Sequence, residues 1–254
     1  MILAHIPASI RSCPIPKQLK LFHRFDSDLE LKSHIAYLDA KSGNTERAFQ
    51  LVMDLALDML DSTKDEWGRD CIFVAPHAKE IRGDNAIPQV LAAVCAVVCG
   101  AKVDLEIVQS TRVYHTGADP MERLVSRPEF QGQVVSGADY VLIDDVTNLG
   151  GTLAELAHYI QMHGGVVHGA FVLVNAGRKK SLQPDQRAIR LITTRFGNEI
   201  VQIFGIQPQA LTCNEASYLV GFRSAVEIRN RVLKARQEIH LRLRSKGITR
   251  DASA

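Results

Sequence analysis

The chain has 254 residues, 46% of them hydrophobic and 23% charged, with a formal net charge of +2. That is enough chain for one sizeable domain, or one domain with helical additions, and the composition is that of an ordinary globular protein. So small a net charge excludes the strongly one-signed character that by itself points to nucleic acid or an anionic membrane surface.

The opening residues, MILAHIPASIRSCPIPKQ, have no basic stretch ahead of their brief apolar run. No secretory signal is expected, and a cytoplasmic location is. Pro7, Pro14 and Pro16 break any long element, so residues 1–40 are expected to be irregular. GNTERAFQLVMDLALDML, residues 43–60, reads as a helix capped by Asn44 or Thr45, with Ala48, Leu51, Val52, Leu55 and Met59 at helical spacing. CIFVAP, residues 71–76, reads as a short buried strand, and HAKEIRGDN as a polar loop after it. IPQVLAAVCAVVCG, residues 87–100, reads as a helix opened near Pro88 and closed by Gly100. It is the longest apolar run and too short to span a bilayer. Its Cys95 and Cys99 are expected to be buried thiols in a reducing compartment rather than metal ligands.

KVDLEIVQ, residues 102–109, is a second strand candidate. A long polar stretch follows, then the strand YVLID, the helix GTLAELAHYIQMHGG and the strand VVHGAFVLVN. Apolar strands alternating with helices imply an α/β fold, a mostly parallel sheet covered on both sides. Beyond Asn175 the pattern turns helical. Thr212 with Glu215 and Ser224 with Glu227 both fit a capping box. The two helices they open, the second running to about Lys246, read as an appended hairpin. The expected organisation is therefore an N-terminal irregular segment (1–40), an α/β core (41–205) and a C-terminal helical extension (206–254).

The chemistry concentrates in YVLIDDVTNLGGTLAEL. Ligands of open α/β sheets bind beyond the carboxyl ends of strands. The turn after Asp144 and Asp145 lies at such an end, before a helix, where free N–H groups form an anion nest. Gly150 and Gly151 let an anion approach the backbone, and Thr152 adds a hydroxyl. Two carboxylates beside a phosphate nest repel a free phosphate but accept hydrogen bonds from hydroxyls. A sugar phosphate satisfies both halves. The stretch is neither a Rossmann glycine pattern nor a Walker A loop, which needs a lysine.

ADYVLIDDVTNLGGTL resembles the phosphoribosyl pyrophosphate (PRPP) loop of the type I phosphoribosyltransferases, in which four apolar residues precede two acids and a turn such as V-I-T-T-G-G-T. The likeness covers roughly residues 71–175 in element order. It implies a phosphoribosyltransferase-like fold and transfer of phosphoribose from PRPP to an acceptor, most simply a nucleobase, with release of pyrophosphate. Asp144 and Asp145 would bind the ribose 2′- and 3′-hydroxyls. The backbone of Asn148, Leu149, Gly150, Gly151 and Thr152, with the Thr152 hydroxyl, would hold the 5′-phosphate. His77, Ala78 and Lys79 stand at the pyrophosphate loop by position. Residues 109–132 stand where the family has its mobile catalytic loop, and carry Arg112, Tyr114, His115, Thr116 and Arg123. Lys79, Arg112 and Arg123 would stabilise charge on the leaving pyrophosphate, and His115 would protonate a leaving oxygen. Asn175, Arg178 and Lys179 follow the next strand, where the family often contacts the acceptor; a solvated basic turn is the alternative. Mg²⁺ would arrive on the substrate phosphates. Thr147, Asn148 and Leu149 depart from the family's usual residues, which leaves the backbone donors but changes their surroundings.

Several segments, among them VAPHAKEIRGDNAIP and LTCNEASYLVGF, are also similar to phosphoribosyltransferase-like proteins of phages and other mobile elements. That leaves a second functional class open: a non-catalytic PRPP or nucleotide sensor linked to nucleic-acid processing. The basic last helix fits contact with nucleic acid or, more simply, a solvated amphipathic helix. No membrane partner is expected, and the oligomeric state is left open, with a homodimer as the candidate. The histidines show no ligand spacing, so no protein-held metal is expected.

Overall fold

The computed structural model describes residues 9–76, 85–111 and 117–245. In chain order these form β1 (Lys20–Phe25), α1 (Leu29–Ser33), α2 (Tyr37–Lys41), α3 (Thr45–Thr63), β2 (Ile72–Val74), α4 (Ile87–Cys99), β3 (Lys102–Val103) and β4 (Val108–Gln109). There follow α5 (Pro120–Val125), β5 (Phe130–Gln131), β6 (Asp139–Thr147), α6 (Gly151–Met162), β7 (Val166–Asn175), α7 (Gln186–Phe196), α8 (Glu199–Phe204), α9 (Cys213–Val220) and α10 (Ala225–Ser245). Five strands make one sheet in the order β1-β7-β6-β2-β3, and every pairing in it is parallel. This is the α/β architecture expected, with helices on both faces.

Alternation along the strands sorts the core into two layers. Val141 and Ile143 of β6, with Phe73 of β2 and Phe171 and Leu173 of β7, pack under α3 and α4. Tyr140 and Leu142, with Ile72, Val74, Ala170 and Val172, pack under α6. The helices start and stop as the sequence implies. The Asn44 side chain accepts from Arg47 N–H at 3.0 Å, and Gly100 closes α4 in the left-handed region at φ 63°. Trp67 stands edge-on to Phe22 and Phe73, with ring centroids 5.3 and 6.4 Å away. Its six-membered ring lies where a Cβ on residue 169 would be, 2.2 Å from that position, so only glycine fits there. All five cysteines are free; burial pushes the Cys71 thiol up to about 11.

Four expectations need correction, the last of them the C-terminal hairpin. Residues 1–40 are not wholly irregular: β1 adds to the sheet edge beside β7, pairing Leu21 with Ala170 and His23 with Val172. KLFHRF has no clean alternation because as an edge strand it stays half exposed on both faces. KVDLEIVQ is two strands of different sheets, since Asp104 Oδ1 accepts Glu106 N–H and Ile107 N–H at 2.9 and 2.7 Å and turns the chain. Residues 109–132, placed at a mobile loop by the resemblance, also hold regular structure. β4 and β5 pair antiparallel, and between them α5 carries a complete capping box of Asp119 and Glu122. Residues 112–116 lie outside the described residues.

The C-terminal addition is broader than a hairpin. Met121 and Leu124 of α5, Ile192 and Phe196 of α7, Ile200 and Phe204 of α8, Leu219 of α9 and Ile228, Val232 and Ala235 of α10 share one core. Ion pairs reinforce it. Arg231 reaches Asp119 and Glu238, and Arg229 reaches Glu199. These cations of α10 are thus engaged within the protein.

A buried ionic network joins this lobe to the sheet. Arg11 and Arg127 both grip Glu155 of α6: Arg11 Nη1 lies 3.0 Å from Oε1 and Arg127 Nη2 2.7 Å from Oε2. Arg11 also bonds Glu215 of α9. Arg127 Nη1 donates to the carbonyls of Phe204 and Gly205 at 3.0 and 2.9 Å. Backbone bonds from Arg11 N–H to Gly205 O and from Gln207 N–H to Arg11 O, both 2.9 Å, stitch the N-terminal segment to the same place. Removing one member of such a set leaves uncompensated buried charge. Glu155→Gln should therefore lower the unfolding free energy by about 3–5 kcal/mol, seen as a lower urea midpoint at unchanged slope.

Candidate functional site

Central strand β6 delivers the acidic pair to the carboxyl edge of the sheet. The strand runs past both acids to Thr147, whose carbonyl accepts Ala176 N–H at 2.8 Å. Asp144 and Asp145 are therefore buried strand residues rather than solvated turn residues. Asp145 continues the face of Val141 and Ile143, and there it meets two donors. Lys41 Nζ, at the end of α2, lies 2.7 Å from Asp145 Oδ2, and Asn85 Nδ2 lies 2.9 Å from the same oxygen. Asp145 Oδ1 accepts Val146 N–H at 2.8 Å, and Asp144 Oδ1 accepts Asp145 N–H at 2.9 Å.

The electrostatics of the two acids diverge. Burial and the neighbouring Asp145 charge push the Asp144 carboxyl well above the carboxylate range, against the pull of Lys41. Burial acts on Asp145 in the same direction, but the Lys41 charge and the hydrogen bonds from Lys41 and Asn85 outweigh it and hold Asp145 below its ordinary value. Lys41 is correspondingly raised: burial alone would lower it, and Asp145 more than compensates. One acid is a fixed anion and the other takes up a proton readily, the usual outcome when like charges share a buried site.

Beyond Thr147 the chain turns through Asn148 and Leu149 to Gly150, at φ 80°, and enters α6 at Gly151. None of the backbone N–H groups from Asn148 to Thr152 donates to a described residue. They stand free at the start of α6, an arrangement able to receive an anion. The loop is braced from two sides. The Thr212 hydroxyl, itself the cap of α9, donates to the Leu149 carbonyl, and Leu149 packs on the C-terminal core. On the other side the backbone passes close to Gly177, where a Cβ would stand 2.7 Å from Asn148 O and 2.5 Å from Asn214 Nδ2. Asn214 in turn clamps Lys179, accepting from its N–H and donating to its carbonyl, both at 2.9 Å.

The remaining expected residues divide. Asn175 is buried and committed to its own turn: Nδ2 donates to Lys180 O at 3.0 Å and Oδ1 accepts Gly177 N–H at 3.1 Å. Arg178 and Lys179 are exposed beside it. Arg123 sits on α5, its Nε donating to Ala118 O at 3.0 Å. Arg112, His115, His77, Ala78 and Lys79 fall outside the described residues. Lys41, Asn85 and Thr212 were not anticipated at the site. Lys41 is 104 residues from its partner, and no local pattern marks it. Thr212 was legible as a cap but not as a brace. Among the described residues, one set of acids is spaced to hold a metal ion, Asp119, Glu122 and Glu238. Capping bonds and Arg231 already engage it. No helix of the described residues is long and apolar enough to cross a membrane.

The site is thus a buried acidic pair and a turn of free N–H groups at the carboxyl end of one strand of a parallel α/β sheet. No family model matches the chain. It is 34% identical over 208 residues to Protein TraN of Escherichia coli, covering 80% of this chain and 46% of TraN. It is 41% identical over 130 residues to an uncharacterized protein of Haemophilus influenzae, covering 50% of this chain and 29% of that one. The chain thus spans less than half the length of these curated relatives. Among solved structures it is similar to an adenine phosphoribosyltransferase (16% identity, TM-score 0.33, 50% of this chain and 69% of that chain). Similar values hold for the adenine phosphoribosyltransferase of Thermoanaerobacter pseudethanolicus (17%, 0.35, 51% and 73%). A hypoxanthine phosphoribosyltransferase of Staphylococcus aureus gives 13%, 0.31, 51% and 63%.

Two outcomes follow from this geometry. An added Cβ on Gly150 would lie 2.6 Å from Leu182 Cδ2, whereas Gly100, also left-handed, has open space. Both alanine variants should lose about 1–2 kcal/mol to backbone strain. Gly150→Ala should lose more, and only it should weaken sugar-phosphate binding; thermal melts with and without ribose 5-phosphate separate the two. The native state holds the Asp144 proton more tightly than the unfolded chain does. Its contribution is therefore full below the unfolded carboxylate range and is lost as pH rises through the raised folded value. Asp144→Asn should be more stable than the parent at pH 8 and lose this advantage by pH 4, measured by urea unfolding across that range.

Proposed function

We propose that the chain is a PRPP-binding domain that transfers phosphoribose to an acceptor, most simply a nucleobase, with release of pyrophosphate. One observation supports this above the others: a nest of free backbone N–H groups is braced directly beside two buried acids at the carboxyl end of the central strand. The 5′-phosphate takes the nest from Asn148 to Thr152. The ribose hydroxyls take Asp144 and the remaining acceptor capacity of Asp145. C1 of the sugar is attacked by the acceptor as its bond to pyrophosphate breaks, and the leaving group departs with the electron pair. Mg²⁺ travels on the pyrophosphate oxygens. Lys79 and Arg112 stabilise the charge growing there, and His115 protonates it. Arg178 and Lys179, exposed on the next turn, face the acceptor. The setting is cytoplasmic.

A second reading rests on the Lys41 contact. An acid that already holds a lysine and an asparagine suits a site tuned for binding, as in a PRPP or nucleotide sensor, as well as one tuned for turnover. Titration calorimetry with PRPP and Mg²⁺, followed by a pyrophosphate-release screen over nucleobases, tests both. Binding with release for one base is expected. Binding without release for any base favours the sensor, and no PRPP binding overturns both. Asp144→Asn should weaken PRPP binding by about 0.5–1.5 kcal/mol, the net scale of a hydrogen bond not made to a charged group.

A further inference from the structure

The acidic pair brings its own counter-charge. Asp145 Oδ2 accepts from Lys41 Nζ at 2.7 Å and from Asn85 Nδ2 at 2.9 Å, and Oδ1 accepts from Val146 N–H at 2.8 Å. Three donors, one of them a full positive charge, surround a carboxylate whose side chain is only 6% exposed. The lysine is positioned by the fold. Ala40, its neighbour, is wholly buried, and the Ala40 carbonyl accepts Ala86 N–H at 3.0 Å, which ties the end of α2 to the start of α4. Asn85, one residue before that anchor, also orders its own turn by accepting Ile87 N–H at 3.2 Å. The two donors to Asp145 thus share one scaffold and converge on one oxygen.

A divalent cation bridging both acids to a ribose diol would meet an Asp145 carboxylate whose two oxygens are already engaged, Oδ2 by Lys41 and Asn85 and Oδ1 by Val146 N–H. It would also sit against an ammonium within hydrogen-bonding distance of Oδ2. Among the described residues, no third His, Cys, Asp or Glu joins Asp144 and Asp145 in a metal-sized group.

We propose that Lys41 is the resident cation of the sugar subsite, so that the ribose-phosphate half of the ligand binds without a divalent metal ion. This rests on the sugar-phosphate reading above and deepens it. It separates two roles that Mg²⁺ can play: neutralising the pyrophosphate, which it still does, and screening the acids, which the lysine does instead. Lys41 is here a positioning residue that fixes the charge state of Asp145 and leaves Asp144 to meet the diol.

Ribose 5-phosphate is the probe, because it lacks the pyrophosphate whose own magnesium would mask the effect. The parent protein and Lys41→Met and Lys41→Arg variants are titrated calorimetrically in EDTA and in excess Mg²⁺. Parent affinity should differ by less than threefold between the two buffers. Lys41→Met should bind at least tenfold more weakly in EDTA and recover in Mg²⁺, and Lys41→Arg should keep metal-independent binding. A recovery by Mg²⁺ also shows that the methionine variant is folded. Parent binding that requires Mg²⁺ overturns the role of Lys41 and leaves the sugar-phosphate site standing. So does Lys41→Met binding like the parent in EDTA. Absence of parent binding in both buffers overturns the sugar-phosphate reading and the inference built on it.

Discussion

Glu155, held between two buried arginines, is the contact on which the rest of the arrangement turns. It lies on α6, whose first turn follows the acidic pair and the glycine turn. Arg11 comes from the N-terminal segment and Arg127 from the chain leaving α5, and each carries a second bond into the C-terminal lobe. One carboxylate therefore fixes where the site helix sits relative to three separate parts of the chain. Buried ion pairs recover little net free energy against apolar replacements of the same shape. Their directional bonds do something apolar packing does not: they specify one relative placement of the segments.

Bracing of the nest repeats the theme at closer range. A strand-to-helix turn with free N–H groups binds an anion only if those groups point inward together. Here the turn is held by the Thr212 hydroxyl and Leu149 packing on one side and by the close pass of Gly177 on the other. Helices that an isolated α/β core would lack thus hold this turn in place. Asn148 and Leu149, the departures from the usual loop residues, are where the lobe takes hold: Leu149 is the apolar side chain that reaches it, and the Asn148 carbonyl faces Gly177.

What the sequence disclosed and what it hid follow from range. The acids, the glycine turn and the following helix lie within one short stretch, and their chemistry could be read there. The caps of α3 and α9 were equally local, and so were the apolar runs that marked the strands as covered on both faces. The rest depended on distant partners. β1 has an edge strand's mixed polarity and becomes recognisable only when β7 supplies its hydrogen bonds. Lys41 looks like any lysine near a helix end until the fold sets it against Asp145. The break after Val103 turned on one side chain, since Asp104 captures two backbone donors that a continuous strand would have used. Arg11, Arg127 and Glu155 are an ordinary scatter of charges in the sequence, and the topology makes them one buried group.

The packing of Trp67 gives the molecule a built-in reporter. It is the only tryptophan in the chain, it is buried, and it touches the edge strand through Phe22, an inner strand through Phe73 and a third through the missing side chain of residue 169. The edge strand and the central core thus meet on a single chromophore. Intrinsic fluorescence of this protein accordingly reads the closing of the sheet's outer edge, separately from events at the acidic pair or in the helical lobe.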